Sequence, residues 1–318
     1  VKLKSNLFKK AIQSLLLGAS IFYIGRAFIR LDIKTFQFSD PILAAEVSIA
    51  CIITYAVFFS LLAIGWKLIL DRIAYPRNIA FNEIYILYTK TNLMKYLPGN
   101  VMEWVGRNIL GTRYGLTHSQ IALSSVVETL IILAISGLLS CIVIIEGAWI
   151  VVKNFDFSYF YILITLLTLA GILCFRYSSQ FIKTLNQLLP DYKQIVSREF
   201  AKTVIQVALL QLFVFLNLGI AFVAIIYFIF GFHVDGYSAI KIISAFSFSW
   251  VLGFVTPGAP GGVGIKEALL LFTLSPICGE QVVVLAGVLH RLISIAGDGL
   301  AFGLAQIYHF HKGNTYCK

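Results

Sequence analysis

Apolar positions along this chain fall into long blocks separated by short polar stretches. Blocks 10–30, 41–70, 117–145, 157–175, 203–230 and 281–309 are unbroken, and each has the length of a helical membrane span, for which about 20 apolar residues suffice. Two further blocks, 81–110 and 239–274, are interrupted by Pro-Gly, in "YLPGNVMEWVGRNIL" and "VTPGAPGGVGIKEAL". The pattern predicts an all-α polytopic membrane protein with six full spans and two broken, re-entrant hairpins.

Composition strengthens this reading. The chain is 59% hydrophobic and 13% charged, with a mean hydropathy of +0.87, where soluble domains are about 45–50% apolar and 25% charged. Its net charge of +10 is then read through topology and anionic lipid headgroups, and nucleic acid is not an expected partner. The N-terminus carries Lys2, Lys4, Lys9 and Lys10. Arg72 and Arg77 lie in 71–80, and Arg176, Lys183, Lys193, Arg198 and Lys202 in 176–202. The alternate loops are poor in charge: 31–40 has only Lys34, 146–156 only Lys153, and 231–238 has neither Lys nor Arg. The positive-inside rule therefore expects both termini in the cytoplasm, and the expected location is a bacterial or archaeal cytoplasmic membrane. The N-terminus mimics a signal peptide, but its apolar run continues to Phe28, so an uncleaved first helix is expected.

An internal repeat organises the blocks. Pro98-Gly99 and Pro257-Gly258 lie 159 positions apart (257 − 98), as do Arg107 and Lys266. "ETLIILAISGLL" and "HRLISIAGDGLA" align Gly137 with Gly299. Each half reads as span, span, broken hairpin, span, giving a first repeat over 1–150 with its hairpin near 81–110. The second covers 151–318, with its hairpin near 239–274. Three full spans per half turn the second copy upside down, the inverted topology of many transporters, whose sites form where broken helices meet.

The breaks are where chemistry is expected. Proline stops a helix by removing a donor and clashing with the preceding turn. Non-helical backbone survives at membrane depth only inside protein or along a wet cavity. Gly261, Gly262 and Gly264 permit positive φ or close backbone approach, and a helix beginning after them presents free N–H groups to an anion. The site expected from the breaks comprises Pro98, Gly99, Asn100, Glu103 and Arg107, with Pro257, Gly258, Gly261, Gly262, Gly264, Lys266 and Glu267.

Intramembrane charges add to it, since each costs at least about 2.5–3.5 kcal/mol to insert. Glu103 and Arg107, at i and i+4, either pair or offer the guanidinium fork to a phosphodiester. Glu128 corresponds in the repeat to His290, next to Arg291, which predicts an acid of one half beside a base of the other. Asp298 sits between glycines that leave room for a helix or a headgroup. Ser244, Ser247 and Ser249 either line the outer hairpin or bond between helices. Glu46, Lys67, Arg26, Lys90 and Lys95 read as snorkelling side chains, the last two also as guides for a headgroup.

Catalytic and cofactor motifs do not emerge. The five cysteines (Cys51, Cys141, Cys174, Cys278, Cys317) lack ligand or redox spacing. "GAPGGVGIKE" is not followed by Gly-Lys-Ser/Thr, and His-Glu-x-x-His is missing. No cofactor or metal is expected. Uphill transport would need ion coupling, through Glu128 or Asp298, or a partner.

"KYLPGNVMEWVGRN", "RYGLTHSQIALSSVVETL" and "TPGAPGGVGIKEALLL" together resemble the lysylphosphatidylglycerol synthase transmembrane region, a flippase-like family, over about Lys9 to Tyr308. Members carrying a soluble aminoacyltransferase domain have it after this region. Here the chain ends at Lys318, so lipid aminoacylation does not carry over. The resemblance implies movement of a lipid between leaflets, a phospholipid or a polyprenyl-phosphate-linked glycolipid. Expected partners are membrane lipids with anionic or polyprenyl-phosphate headgroups, and enzymes of lipid or glycan synthesis. Two readings stay open beside it, a non-catalytic membrane scaffold and a membrane-embedded lipid-phosphate transferase using His290, Glu128 or Asp298.

Overall fold

The structure, a computed structural model, describes residues 40–75, 78–96, 101–154, 197–256 and 260–313. The expected spans 10–30 and 157–175 lie outside the described residues. So do Pro98, Gly99, Asn100, Pro257 and Gly258.

Among the described residues there is no strand, and the helices follow local signals. Helix α1 (Pro41–Ile73) starts where Asp40 accepts from the N–H groups of Ile42 and Leu43, with Pro41 in the first turn where its missing donor costs nothing. Helix α2 (Phe81–Leu93) runs into a 3-10 turn, Met94–Tyr96, and α3 (Met102–Gly111) follows the first Pro-Gly. Thr117 and Gln120 form a capping box at the start of α4 (His118–Leu139). The block expected as one span over 117–145 instead divides at Ser140 into α4 and α5 (Cys141–Asn154). Ser136 and Ser140 turn their hydroxyls back onto the carbonyls of Ile132 and Ser136, competition of the kind that bends helices. Helix α6 (Arg198–Ala224), capped by Ser197, ends in a π-helical turn over Ile225–Ile229. Asp235 caps α7 (Gly236–Val255), and α8 (Ile265–Cys278) and α9 (Glu280–Gly313) complete the chain.

Among the described residues, five helices are long and apolar enough to cross a membrane: Pro41–Ile73, His118–Leu139, Arg198–Ile229, Gly236–Val255 and Glu280–Ile307. One of these, α7, is the first arm of the block expected as a broken, re-entrant hairpin over 239–274. At 1.5 Å per residue its 20 residues reach about 30 Å, the thickness of the hydrocarbon core.

Burial is arranged as in a protein whose solvent is lipid. Large apolar side chains point outward on every long helix, among them Ile53, Leu130, Leu209, Ile240 and Leu304. Polar and charged ones are inside: Asn92, Arg107, Glu128, Gln211 and Asp298 are all buried. In water this would be costly twice over; in a bilayer it is the stable arrangement. The chain is an all-α integral membrane protein.

The core is built around α1, which packs against α2, α4, α6 and α9. Trp66, Ile84, Tyr88 and Ile121 fill one cluster with Ala301 and Ala305 of α9, whose small side chains admit close approach. Phe222, Phe246, Leu270, Leu274 and Ile293 fill another between α6, α7, α8 and α9. Helix α9 crosses both clusters, which sets its polar positions against α2 on one side and α8 on the other.

Candidate functional site

Both interrupted blocks are broken where proline demands it. Helix α2 has ended by Leu93 and α3 begins at Met102, while α7 has ended by Val255 and α8 begins at Ile265. The residues flanking the two breaks touch: the Met94–Tyr96 turn packs on Pro260–Gly262. Tyr96 lies against Gly261, where a methyl group would meet its ring carbons at 3.7 Å. Gly261, Gly262 and Gly264 have φ of 58°, 73° and 87°. At Gly262 the restriction is double, because a Cβ would also lie 2.8 Å from Lys266 Cε and 3.1 Å from the carbonyl oxygen of Gly253.

Between these turns and the long helices is a cavity of about 160 Å³. Lys95, Tyr96, Glu103, Gly261, Lys266, Glu267, His290 and Arg291 line it, with Tyr55, Asn92 and a wall of aromatic rings. Trp250 stacks on Phe254 at 5.0 Å, and Trp104 meets Phe254 edge-on at 5.6 Å.

Most charges around the cavity are already committed. Asp298 accepts from Lys95 Nζ at 2.7 Å and the Tyr96 hydroxyl at 2.6 Å through one oxygen, and from Asn92 Nδ2 at 2.9 Å through the other. Glu267 reaches back to the Gly264 N–H at 2.8 Å, closing the first turn of α8, and its other oxygen accepts from Arg291 Nε at 2.5 Å. Arg107 donates to Glu128 at 2.5 Å and to Glu103 at 2.7 Å, and its guanidinium carbon lies 4.8 and 4.5 Å from the ring centres of Trp66 and Tyr88. The Tyr88 hydroxyl donates to the remaining Glu128 oxygen at 2.8 Å.

Lys266 differs from the other cations. Its ammonium makes no ion pair among the described residues and lies 5.2 Å from the Trp250 ring centre. It stands in the first turn of α8, beside the positive end of that helix's dipole.

Several expectations are corrected by this geometry. Glu128 meets Arg107 and Tyr88 rather than His290. His290 is packed edge-on against Phe246 and Phe222, at 4.9 and 5.6 Å between ring centres. The repeat offset aligns these positions in sequence, but although both helices pack on α1, α4 otherwise packs on α3, α6 and α7, and α9 on α2 and α8. Arg107 and Glu103 do pair, and Arg107 is 1% exposed, so neither it nor Glu128 reaches the cavity wall. Lys95, read as snorkelling, is turned inward by Asp298. Of the three serines, Ser249 lines the cavity, Ser247 bonds back to Ile243, and Ser244 accepts from the Val143 N–H of α5. Gly297 beside Asp298 does leave room for a neighbour: Tyr55 occupies the space a methyl group would take, at 2.6 Å.

Tyr55, Tyr88, Asn92 and Tyr96 were not among the expected site residues. The signal for three of them was present, since Tyr88, Asn92 and Tyr96 recur at helical spacing inside an otherwise apolar block. What the fold and cavity define is a membrane protein with a charge-lined, aromatic-walled chamber between two broken helix pairs. No family model matches the chain, and no curated protein matches it either.

Proposed function

We propose that this protein moves a phosphate-bearing lipid between membrane leaflets. The observation that carries the reading is Lys266: a cation lining an internal cavity, on the first turn of a helix, that forms no ion pair among the described residues. A buried charge without a partner is costly, and a lipid phosphate is the anion a membrane supplies. Charge-assisted bonds from Lys266 and the adjacent N–H groups replace the water a phosphate loses on leaving the interface. Arg291 and Lys95 flank that position, each tied to a carboxylate that keeps it in place without spending all its donors.

In the same reading the two broken helix pairs are inverted-topology repeats whose re-entrant elbows carry the headgroup. Access to the cavity alternates as one half rocks against the other. The contact of Tyr96 with Gly261 and the matching sequence breaks support this arrangement. The motif resemblance to the lysylphosphatidylglycerol synthase transmembrane region points the same way. Arg107, Glu103 and Glu128 serve as the internal brace of the first elbow, and the acyl or prenyl chains stay in the bilayer while the headgroup crosses.

The test is a leaflet-specific lipid assay in proteoliposomes of the full chain, with Lys266→Gln and Lys266→Arg. Loss of transport in the glutamine variant and retention in the arginine variant, both normally folded, is the expected outcome. Wild-type rates in Lys266→Gln would remove this residue, and the phosphate site with it.

A further inference from the structure

The stem of Lys266 runs between two glycines. A Cβ at Gly253 of α7 would stand 2.5 Å from Lys266 Cγ, 3.0 Å from Cε and 3.3 Å from Cδ, so the lysine fills the place that any larger residue would take. Gly262, which abuts Lys266 Cε and the Gly253 carbonyl, closes the other side. Glycine inside a helix costs stability relative to alanine, and here the space it leaves is occupied by one side chain. At Gly253 the nearest atom is Cγ, at the base of the lysine. Shifting the ammonium end alone would not relieve a methyl there; the whole side chain would have to turn.

The tip of Lys266 is held by a ring. Trp250 lies one turn before Gly253 on α7, and Lys266 Nζ sits 5.2 Å from its ring centre. That ring is itself fixed, stacked on Phe254 at 5.0 Å and met edge-on by Phe215 at 4.8 Å. An aromatic face attracts an ammonium through its quadrupole, yet it does not take up the three N–H donors as a carboxylate would. The charge is steadied and its donors stay open to the cavity, which Trp250 and Lys266 both line.

We propose that Gly253 and Trp250 are positioning residues for the anion site: Gly253 seats the Lys266 stem along α7, and Trp250 holds the ammonium in the cavity until a phosphate arrives. This rests on the translocase reading and deepens its phosphate site. Neither residue needs to touch the lipid; both act through Lys266.

The test is binding of phosphatidylglycerol against diacylglycerol of the same chains, read by native mass spectrometry of the full protein. Lys266→Ala is expected to lower the preference for the anionic lipid about ten- to a hundredfold, the range of one charge-assisted hydrogen bond. Gly253→Ala should lose a comparable amount and leave diacylglycerol binding unchanged. Combined with Lys266→Ala it should cost nothing further, because the three atoms nearest the new methyl are gone. Trp250→Leu should lower the preference about two- to thirtyfold, and Trp250→Phe should keep most of it. Wild-type preference in Gly253→Ala, or a double variant weaker than Lys266→Ala, would make the glycine a packing residue only and overturn the proposal. So would equal preference in Trp250→Leu and Trp250→Phe, a comparison that stands even where Gly253→Ala does not fold. An unchanged preference in Lys266→Ala would instead remove the phosphate site itself, and the proposal with it.

Discussion

Replacing Arg107 by alanine tests whether that residue is a brace or a ligand. The guanidinium is 1% exposed, bonded to two carboxylates at 2.5 and 2.7 Å and packed on the rings of Trp66 and Tyr88. Removing one partner of a buried ion pair leaves the other charge stranded, at a cost of about 3–5 kcal/mol. Here Glu128, itself buried, would keep only the Tyr88 hydroxyl. Against a net stability of about 5–15 kcal/mol, that is a large fraction. Arg107→Lys should fall between, because a single ammonium cannot reproduce the planar fork that spans both carboxylates. Adding Glu128→Gln to Arg107→Ala should restore part of the loss, with a coupling of about 1–3 kcal/mol. Thermal unfolding in detergent measures the set, and lipid binding is then compared in the variants that remain folded. An Arg107→Ala protein with wild-type stability but lost lipid binding would refute the reasoning, since it would make Arg107 a ligand.

Gly262→Ala should destabilise by about 1–3 kcal/mol, the cost of forcing a side chain into a positive-φ conformation. The Lys266 side chain lies in the path of the new methyl, so lipid binding should fall as well, in the same unfolding and binding assays. Glu146 of α5 accepts from Lys241 at 2.6 Å and from the Tyr237 hydroxyl, and these bonds, Lys241 first, lower its pKa. A depressed carboxylate stabilises the fold above its unfolded value of about 4.3 and loses that contribution as pH falls through the folded value. Acidification below about pH 4 should therefore loosen α5 from α7, seen as faster hydrogen exchange in 141–154, and Glu146→Gln should remove that pH dependence. The effect is modest because the pair is partly exposed.

Much of the architecture was legible from hydropathy alone. The starts of α1 and α4, the break before Met102 and the break before Ile265 follow from Asp40-Pro41, Thr117 and the two Pro-Gly pairs, all local signals. The positive φ of Gly261, Gly262 and Gly264 was equally local, since only glycine accommodates it freely. The bend at Ser140 escaped because hydrophobic periodicity does not register a hydroxyl turning onto the backbone. The extent of α7 was legible too, since a block starting at 239 and broken at Pro257 leaves an arm of span length before the break.

The sequence by itself determined that this chain is solvated by lipid, where its helices break, and which ionisable groups have to be kept from hydrocarbon. Those follow from transfer free energies and backbone sterics, which each short segment carries within it. Only the tertiary structure decided which charges cancel one another. Arg107 found Glu128, Asp298 found Lys95 with Tyr96, Arg291 found Glu267, and Lys266 was left facing the cavity with no ion pair among the described residues. Coulomb energy depends on distance and burial; the Asp298 and Arg291 pairs are set by how α9 crosses between α2 and α8, and the Arg107–Glu128 pair by the packing of α3 on α4.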